Sequence, residues 1–317
     1  MIELWFVIIA FLWTGYFVLE GFDFGVGMLA PFVSRGDGEQ RQALQTIGPV
    51  WDGNEVWLIT AVGAMFAAFP AWYAGMFSSF YLPVALVLVG LIVRGVGLEW
   101  RGKVTNTFWC DAGIVAGSAL PAFLWGAVFA DMLFAGGLAA LLGGVFSLAV
   151  SVLHGAVFLA LRTDGPLRAR ARTAALAASA VAVPVGALAL SQVGGLGFLG
   201  GAGFSGGADG AGLLGGLVSG VAAPAAALAL AAAAVLIWRR REGWAFAATA
   251  GAIVLVSVAV FTELAPMPLP GLTLAEAASG PYTLTMLSWI GLIALPFVLL
   301  YQGWTYWVFR KRVLIPA

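Results

Sequence analysis

Apolar residues run along this chain in long blocks, not in stripes. From Leu4 to Leu19 every residue except Thr14 and Gly15 is apolar or aromatic. A helix that crosses a bilayer needs about 20 such residues. Nine blocks reach that scale: roughly 3–30, 50–70, 75–98, 111–131, 138–161, 173–193, 212–238, 244–263 and 283–309. The pattern predicts an all-α polytopic membrane protein with nine transmembrane helices. We expect a single integral membrane domain over 1–317, arranged as two four-helix bundles plus one peripheral helix. The halves would be 1–131 and 138–263, with the last helix at 283–309. No internal sequence repeat marks them.

The basic residues test the count. Fourteen of the fifteen fall in alternate connections: Arg35 and Arg41; Arg101 and Lys103; Arg162, Arg168, Arg170 and Arg172; Arg239 to Arg241; and Arg310 to Arg312. The other four connections, 71–74, 132–137, 194–211 and 264–282, hold no Lys or Arg. Positive residues collect on the cytoplasmic side. That predicts an outside N-terminus and a cytoplasmic C-terminus; eight or ten spans would break the alternation. The start lacks a basic segment and a small-residue cleavage site, so we do not expect a cleaved leader. The Gly-rich segment 194–211 is expected as a flexible or re-entrant loop, and the Pro-rich 264–282 as an irregular outer loop.

Composition adds exclusions. Charged residues make up 9% of the chain, against about 25% in soluble proteins. The net charge is zero, so no nucleic-acid partner is expected. One cysteine, Cys110, excludes an internal disulfide. One histidine, His154, excludes a haem held by two histidines of this chain alone.

The candidate chemistry is acidic. Asp52 and Glu55 are three apart in Trp51-Asp52-Gly53-Asn54-Glu55-Val56-Trp57, so on a helix they share a face. Glu20 and Asp23 repeat that spacing within Gly21-Phe22-Asp23-Phe24-Gly25-Val26-Gly27 and the residue before it. A carboxylate facing lipid costs about 2.5–3.5 kcal/mol on the mildest scale, so intramembrane acids point to a partner, water or a proton path. A helix start after Pro49 would also suit acids and interfacial tryptophans. Gly53 and Asn54 in the same turn favour a hydrated pocket. Glu20 has the weaker functional reading, since a tilted first helix would leave it at the interface. Arg94, inside the third span, either snorkels to the inner headgroups or balances these acids. Asp111 at the start of the fourth span reads as structural. His154 reads as hydrogen-bonded to a neighbouring helix, with proton transfer as the alternative. Trp5, Trp13, Trp72, Trp289, Trp304 and Trp307 read as interfacial anchors.

These motifs carry a resemblance. The Gly21–Gly27 and Trp51–Leu58 stretches, Phe77 to Tyr81, the run Arg94-Gly95-Val96-Gly97-Leu98-Glu99-Trp100-Arg101 and the ending Trp304 to Trp307 resemble subunit II of the cytochrome bd-type quinol oxidases. The likeness is strong over roughly the first 115 residues. It implies a subunit of an enzyme that oxidises quinol and reduces dioxygen to water. Two b-type haems and one d-type haem would lie in the partner, subunit I. This chain would bind no haem; a quinone here is allowed. A small single-helix accessory subunit, lipid and quinol are further expected partners, in the bacterial cytoplasmic membrane. By the likeness Asp23 and Asp52 would be proton-path carboxylates and Trp51 would line the path. Arg94 would be their charge partner, with Asp111 a further polar member. Glu55 stands where some relatives have Gln; the extra carboxylate would either add a relay point or merely perturb its neighbours. The runner-up is a proton-coupled secondary transporter built on the same acids; a third reading is an assembly scaffold whose acids only pair with Arg94.

Overall fold

The structure is a computed structural model that describes residues 1–193 and 210–314, with side chains of 210–214 excepted. The loop expected at 194–211, including Asp209, therefore lies almost wholly outside the described residues.

The described chain is helical, with no strand longer than the single bridge between Leu269 and Leu272. The helices are α1 (Ile2–Val33), α2 (Asp37–Gln45), α3 (Trp51–Ala68), α4 (Pro70–Ser79), α5 (Tyr81–Trp100), α6 (Phe108–Phe134), α7 (Gly137–Arg162), α8 (Gly165–Leu190), α9 (Gly210–Trp238), α10 (Glu242–Leu264), α11 (Leu274–Ala277) and α12 (Pro281–Val308). Among the described residues, eight are long and apolar enough to cross a membrane: α1, α5 to α10 and α12. Eight of the nine expected blocks thus have such a helix; the 50–70 block is α3, whose first five residues include Asp52, Asn54 and Glu55 and lower its hydropathy.

The third expected span is also redrawn. Its start at 75 falls inside α4, and the crossing helix begins at Tyr81. Phe69 departs from helical geometry before Pro70, which opens α4 at its first position; a second break follows at Phe80. Proline suits a first turn and disfavours helix in the residue before it. A short helix, α2, occupies the first connection.

α1 runs through the middle, against α3, α6, α7 and α10. One apolar cluster joins it to α3, α4, α5 and α6 through Trp13, Tyr16, Trp57, Trp72, Val87 and Trp125. A second joins α7 to α10 through Leu153, Ala182, Ala226, Leu230 and Ala252. Without a hydrophobic drive between helices in lipid, contact depends on close packing. Gly25 and Gly155 make one such close contact between α1 and α7. A Cβ on Gly25 would collide with the Ser151 carbonyl, and one on Gly155 with the Gly25 backbone.

Three tryptophans expected at the interface are instead core. Trp5, Trp13 and Trp72 are buried, and Trp13 packs edge-on to Trp125 at 4.8 Å. Trp289, Trp304 and Trp307 are exposed. α12 is peripheral: of its residues only Leu284 is fully buried.

Candidate functional site

Four helices bring one polar cluster together inside the apolar body. α1 supplies Glu20 and Asp23, one helical turn apart and both fully buried. α5 supplies Arg94, also fully buried. α3 supplies Trp51, Asn54 and Glu55, and α12 supplies Gln302 and Tyr306.

Arg94 ion-pairs with Glu20, and its other terminal nitrogen lies 3.8 Å from Glu55 Oε1. Its guanidinium sits 5.0 Å from the centre of the Phe24 ring and 6.0 Å from that of Trp51. Of the two readings of Arg94, the geometry matches the counter-charge. Its direct partner is Glu20, the acid the sequence ranked lower, which is buried and not interfacial. Asp23 is held differently. Asn54 Nδ2 donates to Asp23 Oδ2 at 2.7 Å, while Asn54 Oδ1 accepts from Gln302 Nε2 at 3.0 Å and from the Tyr306 hydroxyl at 2.9 Å.

Asp52 stands apart. It is exposed, and its Oδ1 accepts from the Gly53 backbone N–H at 2.8 Å, which is helix-start behaviour. Glu55 is intermediate, with a quarter of its side chain exposed. The shared face expected for Asp52 and Glu55 is thus graded from the surface inward. Among the described residues, Asp23 Oδ1, Glu20 Oε2 and Arg94 Nε and Nη2 are buried without a hydrogen-bond partner. Such atoms usually find water. Three carboxyls therefore surround one guanidinium, with bonding capacity to spare.

The remaining candidates lie elsewhere. Asp111 binds Arg101 at 2.6 Å, and Arg101 also reaches Asp37 at 2.8 Å, tying α6 to α2. His154 has Nδ1 2.6 Å from Thr249 Oγ1 and Nε2 3.2 Å from the Val18 carbonyl, and stacks on Phe246 at 4.6 Å. With both ring nitrogens engaged and the ring buried, His154 offers no free nitrogen to a haem iron. Among the described residues no cluster of His, Cys, Asp and Glu could hold a metal ion.

A belt of ion pairs surrounds the helix ends that carry the basic residues. Glu242 takes both Arg168 and Arg172, Glu39 takes Arg170, and Asp37 takes Arg41 and Arg101. Desolvation is the largest single effect on the Asp37 carboxyl and pushes it up, but its bonds to Arg101 and Arg41 and their charges together outweigh it and hold the group below its ordinary value. Glu39 behaves likewise: desolvation leads, and Arg170, Arg35 and the Arg35 backbone N–H together outweigh it.

Sequence reasoning noticed Asn54 only as added polarity and missed Gln302 and Tyr306. Their signal was available: two polar side chains four apart, one turn of a helix, inside an otherwise apolar span.

Comparison with known proteins agrees with the resemblance. The family model described as cytochrome bd terminal oxidase subunit II matches residues 1–309. The chain is 38% identical over 338 residues to cytochrome bd ubiquinol oxidase subunit 2 of Bacillus subtilis (strain 168), covering 98% of this chain and 96% of that protein. It is 33% identical over 357 residues to cytochrome bd-I ubiquinol oxidase subunit 2 of Escherichia coli (strain K12), covering 98% and 94%. A chain in the structure of bd oxidase from Geobacillus thermodenitrificans superposes with a TM-score of 0.76 at 16% identity, covering 98% of this chain and 99% of that one, which shows a common fold.

Proposed function

We infer the function from membership: the chain belongs to the cytochrome bd terminal oxidase subunit II family. It is a multi-pass subunit of a quinol oxidase of the bacterial membrane, an oxidoreductase complex in which subunit I is its partner. The secondary-transporter reading is not favoured.

Within that complex we assign this chain a proton path. The b- and d-type haems, carried by subunit I in this reading, supply the dioxygen chemistry. This chain's part is to bring hydrogen ions through apolar helices. The carrying observation is the gradation of its acids: Asp52 exposed, Glu55 a quarter exposed, Glu20 and Asp23 fully buried. Asp52 takes up protons from the cytoplasmic face, Glu55 relays them past Trp51 and Arg94, and Asp23 passes them toward subunit I. Arg94 makes this tolerable. Several buried carboxylates cannot all be ionised in a low dielectric beside one positive charge, so the set holds and exchanges protons. Asp111 and His154 are outside this route and hold helices together.

The topology proposal follows from the same site. α3 serves as a ninth crossing whose polar start opens toward the cytoplasm, with the N-terminus outside and the C-terminus cytoplasmic. The halves 1–131 and 138–263, the accessory helix and a quinone or lipid on this chain remain parts of this reading.

The test is Asp23→Asn in the two-subunit complex. Positioned acid–base groups contribute about 10²–10⁴-fold, so oxygen consumption should fall at least a hundredfold on that order while haem content stays native. Native turnover in a fully assembled Asp23→Asn complex would refute the path.

A further inference from the structure

We propose that α12 is a working part of the carboxylate site: Gln302 and Tyr306 lock the Asn54 amide, so that Asp23 exchanges its proton at a single oxygen, Oδ1. The inference rests on the proton-path reading of Asp23 and names the devices that position it.

The argument starts from the amide. Asn54 is fully buried, and its carbonyl oxygen has two lone pairs. Gln302 and Tyr306 occupy both. Its amino group then faces Asp23 Oδ2 at 2.7 Å and the Leu19 carbonyl at 3.5 Å. A flipped amide would set its carbonyl against the Leu19 carbonyl and the Asp23 carboxylate. It would also break both bonds to α12 unless the Gln302 amide flipped and the Tyr306 hydroxyl turned to accept. The orientation is therefore held from α1 and α12 together, although α12 otherwise buries little.

A fixed amide decides which Asp23 oxygen can titrate. Oδ2 accepts from Asn54 whether Asp23 is a carboxylate or a neutral acid, because a carbonyl oxygen accepts as an anionic one does. The bond to Asn54 thus survives each proton transfer, and no donor has to reorganise. Oδ1 is buried and has no protein partner among the described residues. It is the oxygen left to gain and lose hydrogen. Asn54, Gln302 and Tyr306 are positioning residues in this scheme.

α12 is also held along its length in a way that suits the task. Trp5 Nε1 donates to the Leu284 carbonyl at 3.2 Å and to Ser288 Oγ at 3.0 Å near its start. Beyond its end, the Val313 N–H donates to the Arg162 carbonyl and Gln42 Nε2 donates to the Val313 carbonyl, each at 2.8 Å. The two clips leave the Gln302 and Tyr306 turn seated over Asn54.

The experiment uses the assembled oxidase carrying Gln302→Leu and Tyr306→Phe together. Turnover should fall roughly tenfold with native haem content, the scale expected when a reacting group is misplaced by a fraction of an ångström. Protonation-difference infrared spectra give the second readout. The carboxyl C=O stretch that disappears in Asp23→Asn should shift or split in the double variant. Tyr306→Phe alone, which leaves one lone pair occupied, should move it less. If the double variant fails to assemble, the band in Tyr306→Phe decides: a shift supports the inference and an unmoved band overturns it. Native turnover and an unmoved band in an assembled double variant also overturn it. If Asp23→Asn is itself fully active, the proton-path reading fails first; if Asp23→Asn is slow and the double variant is native, only the role of α12 fails.

Discussion

Two polar regions of this chain use the same residue types to opposite ends. In the belt at the helix ends bases match or outnumber acids: Glu242 has two arginines and Asp37 has two. In the cluster under α1 the ratio is inverted, with Glu20, Asp23 and Glu55 around Arg94 alone. The belt lies at the helix ends, where Glu242 and Arg101 are buried but each has two charged partners, most of them partly exposed, so its charges are saturated. The cluster is buried, where an unsaturated set cannot stay fully charged. The first arrangement fastens helices; the second leaves room for a hydrogen ion.

Arg94→Gln should break the contrast most severely. It strands Glu20 as a buried unpaired charge, a loss on the order of 3–5 kcal/mol. The yield of haem-bearing complex should collapse, and adding Glu20→Gln should recover much of it. Recovery of assembly without turnover would separate holding from proton traffic. Glu55→Gln keeps the shape and removes the proposed relay, a quarter of which is exposed. Oxygen consumption should then fall about tenfold, less than for Asp23→Asn, because water can partly replace a group near the surface. Asp52→Asn should do less again. An equal effect for Asp52 and Asp23 would contradict the inward gradation.

In the belt, Arg172→Ala removes one charged hydrogen bond from buried Glu242 but leaves it Arg168, so the stability of the complex should fall by about 1.5 kcal/mol with turnover unchanged. The smallest effect is on pH. Asp37 and Glu39 have folded values below their ordinary 3.8 and 4.5. Their contribution is complete above those ordinary values and is lost as pH falls through the depressed folded ones. Thermal stability should be flat with respect to these two groups at neutral pH. Asp37→Asn with Glu39→Gln should flatten part of the decline below about pH 4, the ordinary carboxylate range.

Much of this was legible in the sequence. Long apolar blocks state helices, and an aspartate inside one states an interior polar site. What the blocks do not state is which way a residue faces. When a helix is apolar all round there is no stripe to mark its buried side. Trp13 and Trp72 therefore read like Trp304, though two are core and one is exposed. The same blindness left Glu20 readable as interfacial and Asp52 readable as part of a pocket, whereas the structure buries the first and exposes the second. The partners of Asn54 were hidden for another reason: Gln302 and Tyr306 lie some 250 positions away, and only the packing of the last helix brings them near.

The bare-backbone seam where Gly25 meets Gly155 has a consequence for variation. Two positions beyond Asp23, the distance between neighbouring helices is set by peptide thickness alone, with no side chain acting as a shim. Around the seam both helices are buried on every side, so neither has a face there on which residues could drift. A single methyl group would force α1 and α7 apart beside the acid, and every neighbour packed on them would have to follow.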